Sequence, residues 1–127
     1  MPFDWEEFLL VAKAHINQNA HPCADAKDRC AISRAYYAAF RTVFQYIDAT
    51  RNSPDIGVAG AAHKRLPRWL RAQPARELRE IGEKLDRLRK PRHKADYEDS
   101  EIDRLHDVAY NAVCDSDAVL RAIDAKP

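Results

Sequence analysis

Apolar residues recur three and four positions apart along almost the whole chain, and no segment alternates with a period of two. That spacing is the mark of amphipathic helices. A first helix is expected over about Asp4–Gln18, with Phe8, Val11, Ala12 and His15 on one stripe. Asp4 is placed to cap it, and Glu7 stands three residues on, at capping-box spacing. The stretch from Ile16 to Cys23, punctuated by Pro22, reads as a loop. A long second helix over about Asp25–Thr50 carries Ile32, Tyr36, Ala39, Phe40, Val43, Phe44 and Ile47 on one face, uninterrupted by Gly or Pro. Arg51–Gly60 is the clearest loop. A short helix fits His63–Arg71. The next has Pro74 near its first turn, where the missing N–H costs nothing, and Leu78, Ile81, Leu85 and Leu88 as its buried stripe. Pro91 should end that helix, because its ring disfavours the helical state of the preceding residue. A polar connector, Arg92–Asp99, leads to a last helix with Ser100 as its expected cap and Asp103 three residues on. Its stripe is Ile102, Leu105, Val108, Ala109, Ala112, Val113, Val119 and Ile123. The expected fold is all-α: an antiparallel bundle of four substantial helices and one short one, forming a single domain over residues 1–127.

Composition narrows this further. With 127 residues the chain can bury one real core. Apolar residues make up 46% and charged residues 32%, which excludes disorder as the main state. Only three glycines occur, which argues against a turn-rich sandwich or barrel. No apolar run approaches the roughly 20 residues that span a bilayer, and the first residues are acidic where a signal peptide would be basic. A cytoplasmic protein without a membrane partner is expected. Cys23, Cys30 and Cys114 are an odd number without a repeating pattern, which fits reduced thiols better than a disulfide framework.

Charge is unevenly spread, although the net value is only +1. Residues 62–94 hold twelve Lys/Arg against four Asp/Glu, whereas residues 95–127 hold three against nine. A basic block of that density attracts phosphate backbones or an acidic partner. It can equally pack beside the acidic segment and be neutralised by it, and the two outcomes are compatible if the basic face points away.

Two groups of residues could carry chemistry. Arg34, Tyr37 and Arg41 stand at i, i+3 and i+7, so they stack along one line of the second helix, away from Ile32 and Phe40. Guanidinium forks with a phenol suit phosphate or base stacking; the same pattern also describes a solvated face with snorkelling arginines. Around the connector, Arg89, Arg92, His93, Lys94, Asp96 and Tyr97 gather cations, an imidazole, a carboxylate and a phenol. RNA cleavage by 2′-hydroxyl attack needs a proton acceptor, a proton donor and a cation for the developing phosphorane charge. A charged turn with no chemistry would look the same. Metal sites look poor: His21, Cys23 and Cys30 lack any metal-ligand spacing, no resident metal or cofactor is expected, and Gly57–Gly60 is not a phosphate loop. His15 and His106 sit in helical patterns as packing or surface residues.

Two segments together support a resemblance. Cys30–Ile47, with its S-R-A-Y-Y-A-A-F core, resembles the second helix of HEPN domains. Leu88–Asp99 resembles the turn before their last helix, often written L-R-x-x-R-N-x-A-D-Y-D. The order and separation of the segments fit, and the resemblance covers roughly residues 3–125. It implies a helical bundle that dimerises through its last helices, with a cleft at the interface. Many HEPN proteins are metal-independent ribonucleases, acting as toxins beside a nucleotidyltransferase-type antitoxin or as antiviral defence effectors. Their signature is Arg, then four to six residues, then His. By that resemblance Arg92 is the signature Arg and would hold phosphate, and His93 takes the polar position beside it. Arg34, Tyr37, Arg41, Arg89, Lys94 and Asp96 would bind RNA in the same cleft. Where ribonuclease members place His, this chain has Tyr97. A phenol is a poor general base near neutrality, so His93 or Tyr97 would have to handle protons between them. Arg87 and His93 also satisfy the spacing literally, with Pro91 between them. The phenol near this motif can be a target of nucleotide addition in related toxins, which by resemblance makes Tyr97 a candidate. Three readings stay open: a ribonuclease, a non-catalytic module binding RNA, a nucleotide or a nucleotidyltransferase, and a helical dimerisation adaptor.

Overall fold

The computed structural model describes residues 3–17, 23–50 and 60–126. Of the loops expected over Ile16–Cys23 and Arg51–Gly60, residues 18–22 and 51–59 lie outside these residues, while Ile16, Asn17 and Gly60 are helical. Five helices are described and no strand: α1 (Glu6–Asn17), α2 (Ala24–Thr50), α3 (Gly60–Arg71), α4 (Arg76–Tyr97) and α5 (Leu105–Asp124). The all-helical expectation therefore holds among the described residues. No helix among them is long and apolar enough to cross a membrane.

Side-chain contacts fix the directions. Arg34 and Arg41 on α2 lie over Phe8 and Trp5, so α1 and α2 run antiparallel. Ser33 meets Asp96 and Tyr36 meets Arg92, so α2 and α4 run antiparallel too. Arg87 pairs with Asp115 across α4 and α5. Helices α1, α2, α4 and α5 form the bundle, and α3 leans on α4. At Gly82 the two helices meet tightly: a Cβ there would lie 2.9 Å from both Leu70 Cβ and the Pro67 carbonyl.

The α2 and α4 stripes are buried as the periodicity predicts. Ile32, Tyr36, Val43 and Ile47 are nearly inaccessible, as are Leu78, Ile81, Leu85 and Leu88. Asp4 caps α1 by accepting the Glu6 N–H at 3.0 Å. On α1 the stripe is shifted: Leu9 and Ala12 are buried, while Val11 is exposed. Phe8, half-buried against the core, also meets Phe3 and Trp5 edge-on.

Three expected boundaries are corrected. Pro74 lies before α4, whose N-cap is Ala75. Ser100 does not cap the last helix; α5 starts at Leu105 behind Arg104, which takes a left-handed conformation with φ 52°. Pro91 does not end α4, which runs on to Tyr97. An internal proline costs about 3 kcal/mol. The turns beyond it offset part of that cost by burying Ala95 against the bundle and setting the Arg92 guanidinium over the Tyr36 ring. They gain a second support from Arg29 on α2. Its guanidinium donates to the carbonyls of Lys94 and Ala95 at 3.1 Å, and of Glu98 and Ser100 at 2.8 Å. A cation at a helix C-terminus satisfies orphan carbonyls and complements the helix dipole. The expected connector is thus mostly helix, stopped by a side chain from another element.

Candidate nucleic-acid interface

Because α4 continues past Pro91, Arg89, Arg92, His93 and Tyr97 project from consecutive turns. His93 and Tyr97, four apart, have ring centroids 5.2 Å apart. Beside them the start of α3 and the middle of α2 close a pocket of about 620 Å³. It is lined by Tyr37, His63, Lys64, Arg89, Lys90, Arg92, His93, Lys94, Tyr97 and Glu98. Five permanent cations face one carboxylate there. A second cavity of about 780 Å³ on the α5 side shares Arg89, Lys90, Lys94 and Glu98, but adds Arg87 with Asp86, Glu101 and Asp103. Its cations and carboxylates balance, so the first pocket is the anion-attracting one.

Arg92 forms the floor. It is only 7% exposed. Its guanidinium carbon sits 4.8 Å from the Tyr36 ring centroid, 5.6 Å from Tyr37 and 5.8 Å from Tyr97. Such faces each offset part of a buried cation's desolvation, by about 0.5–2 kcal/mol. The Asp96 carboxylate adds a longer ion pair at 3.9 Å and accepts from the Ser33 hydroxyl at 3.2 Å. Asp96 therefore holds Arg92 from outside the pocket.

Of the Arg34–Tyr37–Arg41 line, only Tyr37 lines the pocket. Arg34 stacks over Phe8 at 5.0 Å, and Arg41 over Trp5 at 5.0 Å and Phe44 at 5.4 Å. The long arginines lie over aromatic rings of α1, the residue before it, and α2 instead of lining the cleft, while the shorter phenol stays. Arg89 reaches the pocket while pairing with Asp86 at 3.3 Å. Lys94 lines it directly.

The structure adds a residue the sequence pattern does not single out. His63, in the first turn of α3, stacks on Phe40 with centroids 4.3 Å apart, and its Nδ1 lies 2.5 Å from the Tyr36 hydroxyl. Burial holds this imidazole below its ordinary pKa, and the Arg92, Arg41 and Arg89 charges act in the same direction. Burial likewise pushes the Tyr36 phenol far above its usual value, outweighing the opposing pull of Arg92. The only sequence signal for His63 is its place at the head of the basic helix, within H-K-R. Compared with family models, curated proteins and solved structures, the chain matches none of them.

Proposed function

We propose that this chain is an RNA-targeting protein of the HEPN type, an endoribonuclease whose α2–α3–α4 pocket binds a phosphodiester and cleaves it. The observation that carries this is the pocket's charge: five cations to one carboxylate, interleaved with two imidazoles and two phenols. Lys64, Arg89, Lys90 and Lys94 hold the phosphates, and tyrosine faces offer stacking for bases. In the cleavage step the 2′-oxygen attacks phosphorus as His93 accepts its proton. The bond to the 5′-oxygen breaks, and Tyr97 gives that oxygen a proton. The products are a 2′,3′-cyclic phosphate and a 5′-hydroxyl, and solvent returns the proton from His93 to Tyr97. Arg92, fixed beneath, stabilises the phosphorane charge. The resemblance extends this reading to a toxin or defence effector that works as a homodimer and is restrained by a nucleotidyltransferase-type partner.

A second reading, binding without turnover, is favoured by Tyr97 standing where the signature has His, and by the tight packing of Arg92 among tyrosines. Incubating total cellular RNA with the purified protein in EDTA separates the two. His93→Ala and the double variant Lys90→Ala/Lys94→Ala serve as comparisons. These side chains are exposed, so the variants test the site without removing packing, as Arg92→Ala would. Discrete fragments that vanish with His93→Ala support cleavage. Intact RNA that still binds, with a salt slope lowered by roughly 0.7 per lysine removed, supports the binding module. RNA that neither binds nor breaks refutes both.

A further inference from the structure

The hydrogen bond between Tyr36 and His63 Nδ1 ties the imidazole tautomer to the partners of the phenol. Among the described residues, the Tyr36 hydroxyl faces Arg92 and His63 Nδ1. Arg92 can only donate. The phenol keeps its proton, because burial disfavours the phenolate, so that proton goes to His63 Nδ1. A neutral ring that accepts at Nδ1 carries its own proton at Nε2. Burial and the charges of Arg92 and Arg89 on α4 and Arg41 on α2 favour the neutral form, while Tyr36 and Tyr37 on α2 meet the ring as uncharged neighbours. With Nδ1 engaged and one ring face against Phe40, Nε2–H is the polar atom His63 can offer to the pocket it lines.

We infer that His63 is an uncharged Nε2–H donor to a phosphate oxygen of a bound RNA strand, and that Tyr36 is the positioning residue that holds its tautomer. This rests on the phosphodiester reading of the pocket. It adds a contact from α3 that is directional where the lysines are not. A fixed donor selects one orientation of the phosphate, whereas flexible ammonium groups neutralise charge from many positions.

The test uses the full chain and a single-stranded 2′-O-methyl oligoribonucleotide, which binds without being cut. Long-range ¹H–¹⁵N correlation at pH 7 reads the His63 tautomer, assigned by His63→Gln. A neutral Nε2–H ring whose Nε2 signals move on adding the oligonucleotide is expected. His63→Ala should weaken binding about ten- to a hundredfold, the scale of one hydrogen bond to a charged acceptor. His63→Gln, whose amide reaches a similar position, should stay within about twofold of wild type. The salt slope should not change in either variant, because a neutral donor releases no counterion; a general loss of the basic surface would lower it. Tyr36→Phe should release the tautomer and leave the salt slope intact. A protonated ring, a proton on Nδ1, or unchanged affinity in His63→Ala overturns the role of His63 alone. Equal losses in the Ala and Gln variants also overturn it. No binding by wild type at several-hundred-micromolar protein overturns both this role and the RNA reading.

Discussion

Replacing Arg29 by Ala removes the side chain that ends α4. Its guanidinium donates to four carbonyls, of which only Ala95 lies in a part-buried contact; those of Lys94, Glu98 and Ser100 are in exposed ones. The part-buried carbonyl loses its charged donor at a cost of about 1–1.5 kcal/mol, and the exposed ones, which water can serve, lose roughly 0.5 kcal/mol each. Loss of a cation at the helix terminus is already contained in those terms. The expected destabilisation is about 2.5–3 kcal/mol, or roughly 9–12 °C in melting temperature for a domain of this size. Urea titration followed by circular dichroism measures it, with Arg34→Ala as a control for loss of an exposed arginine. Hydrogen exchange adds a local readout: the Glu98 amide, bonded to the Lys94 carbonyl at 3.1 Å, should lose protection well before the amides of α2. A loss under 0.5 kcal/mol, or unchanged protection at Glu98, would show that α4 holds its last turns without Arg29.

Two further outcomes follow from the packing and the titrating groups. Gly82→Ala would gain about 1 kcal/mol in an isolated helix, but its methyl meets Leu70 Cβ and the Pro67 carbonyl at 2.9 Å; overpacking of this kind costs about 1–3 kcal/mol, so net destabilisation and a displaced α3 are expected, and a rise in melting temperature would refute the close approach. His63 has a folded pKa below its unfolded value, so the unfolded chain binds the proton first as pH falls below about 6.5. The stability is fully present above that point and is lost as pH drops toward the folded value, and His63→Gln should flatten the difference in urea midpoint between pH 7.5 and 5.5, whereas an equal slope in both proteins would contradict the burial of the ring.

Much of the scaffold is a local property of the chain. The α2 and α4 stripes are legible because three- and four-residue spacing puts Tyr36 with Ile32 and Leu85 with Leu88 on one face, whatever they pack against. Asp4 reads as a cap for the same reason: its partner is two residues away. Pro91 is misread because the local rule is right about its cost and silent about the burial of Ala95 and the Arg92–Tyr36 stacking that help offset it. Arg29 is invisible in sequence since its acceptors lie 65–71 residues on.

The site divides along the same line. By itself the sequence determined the helical class, the basic block of residues 62–94 and the polar cluster about Arg92, because composition and periodicity need no partner. Only the tertiary structure decided that Tyr37 joins the pocket while Arg34 lies over Phe8 and Arg41 over Trp5, that Arg92 sits among three tyrosines, and that His63 comes over from α3 to the Tyr36 hydroxyl. Burial, tautomer and charge balance depend on distances between residues far apart in the chain, and those distances exist only once the helices have packed.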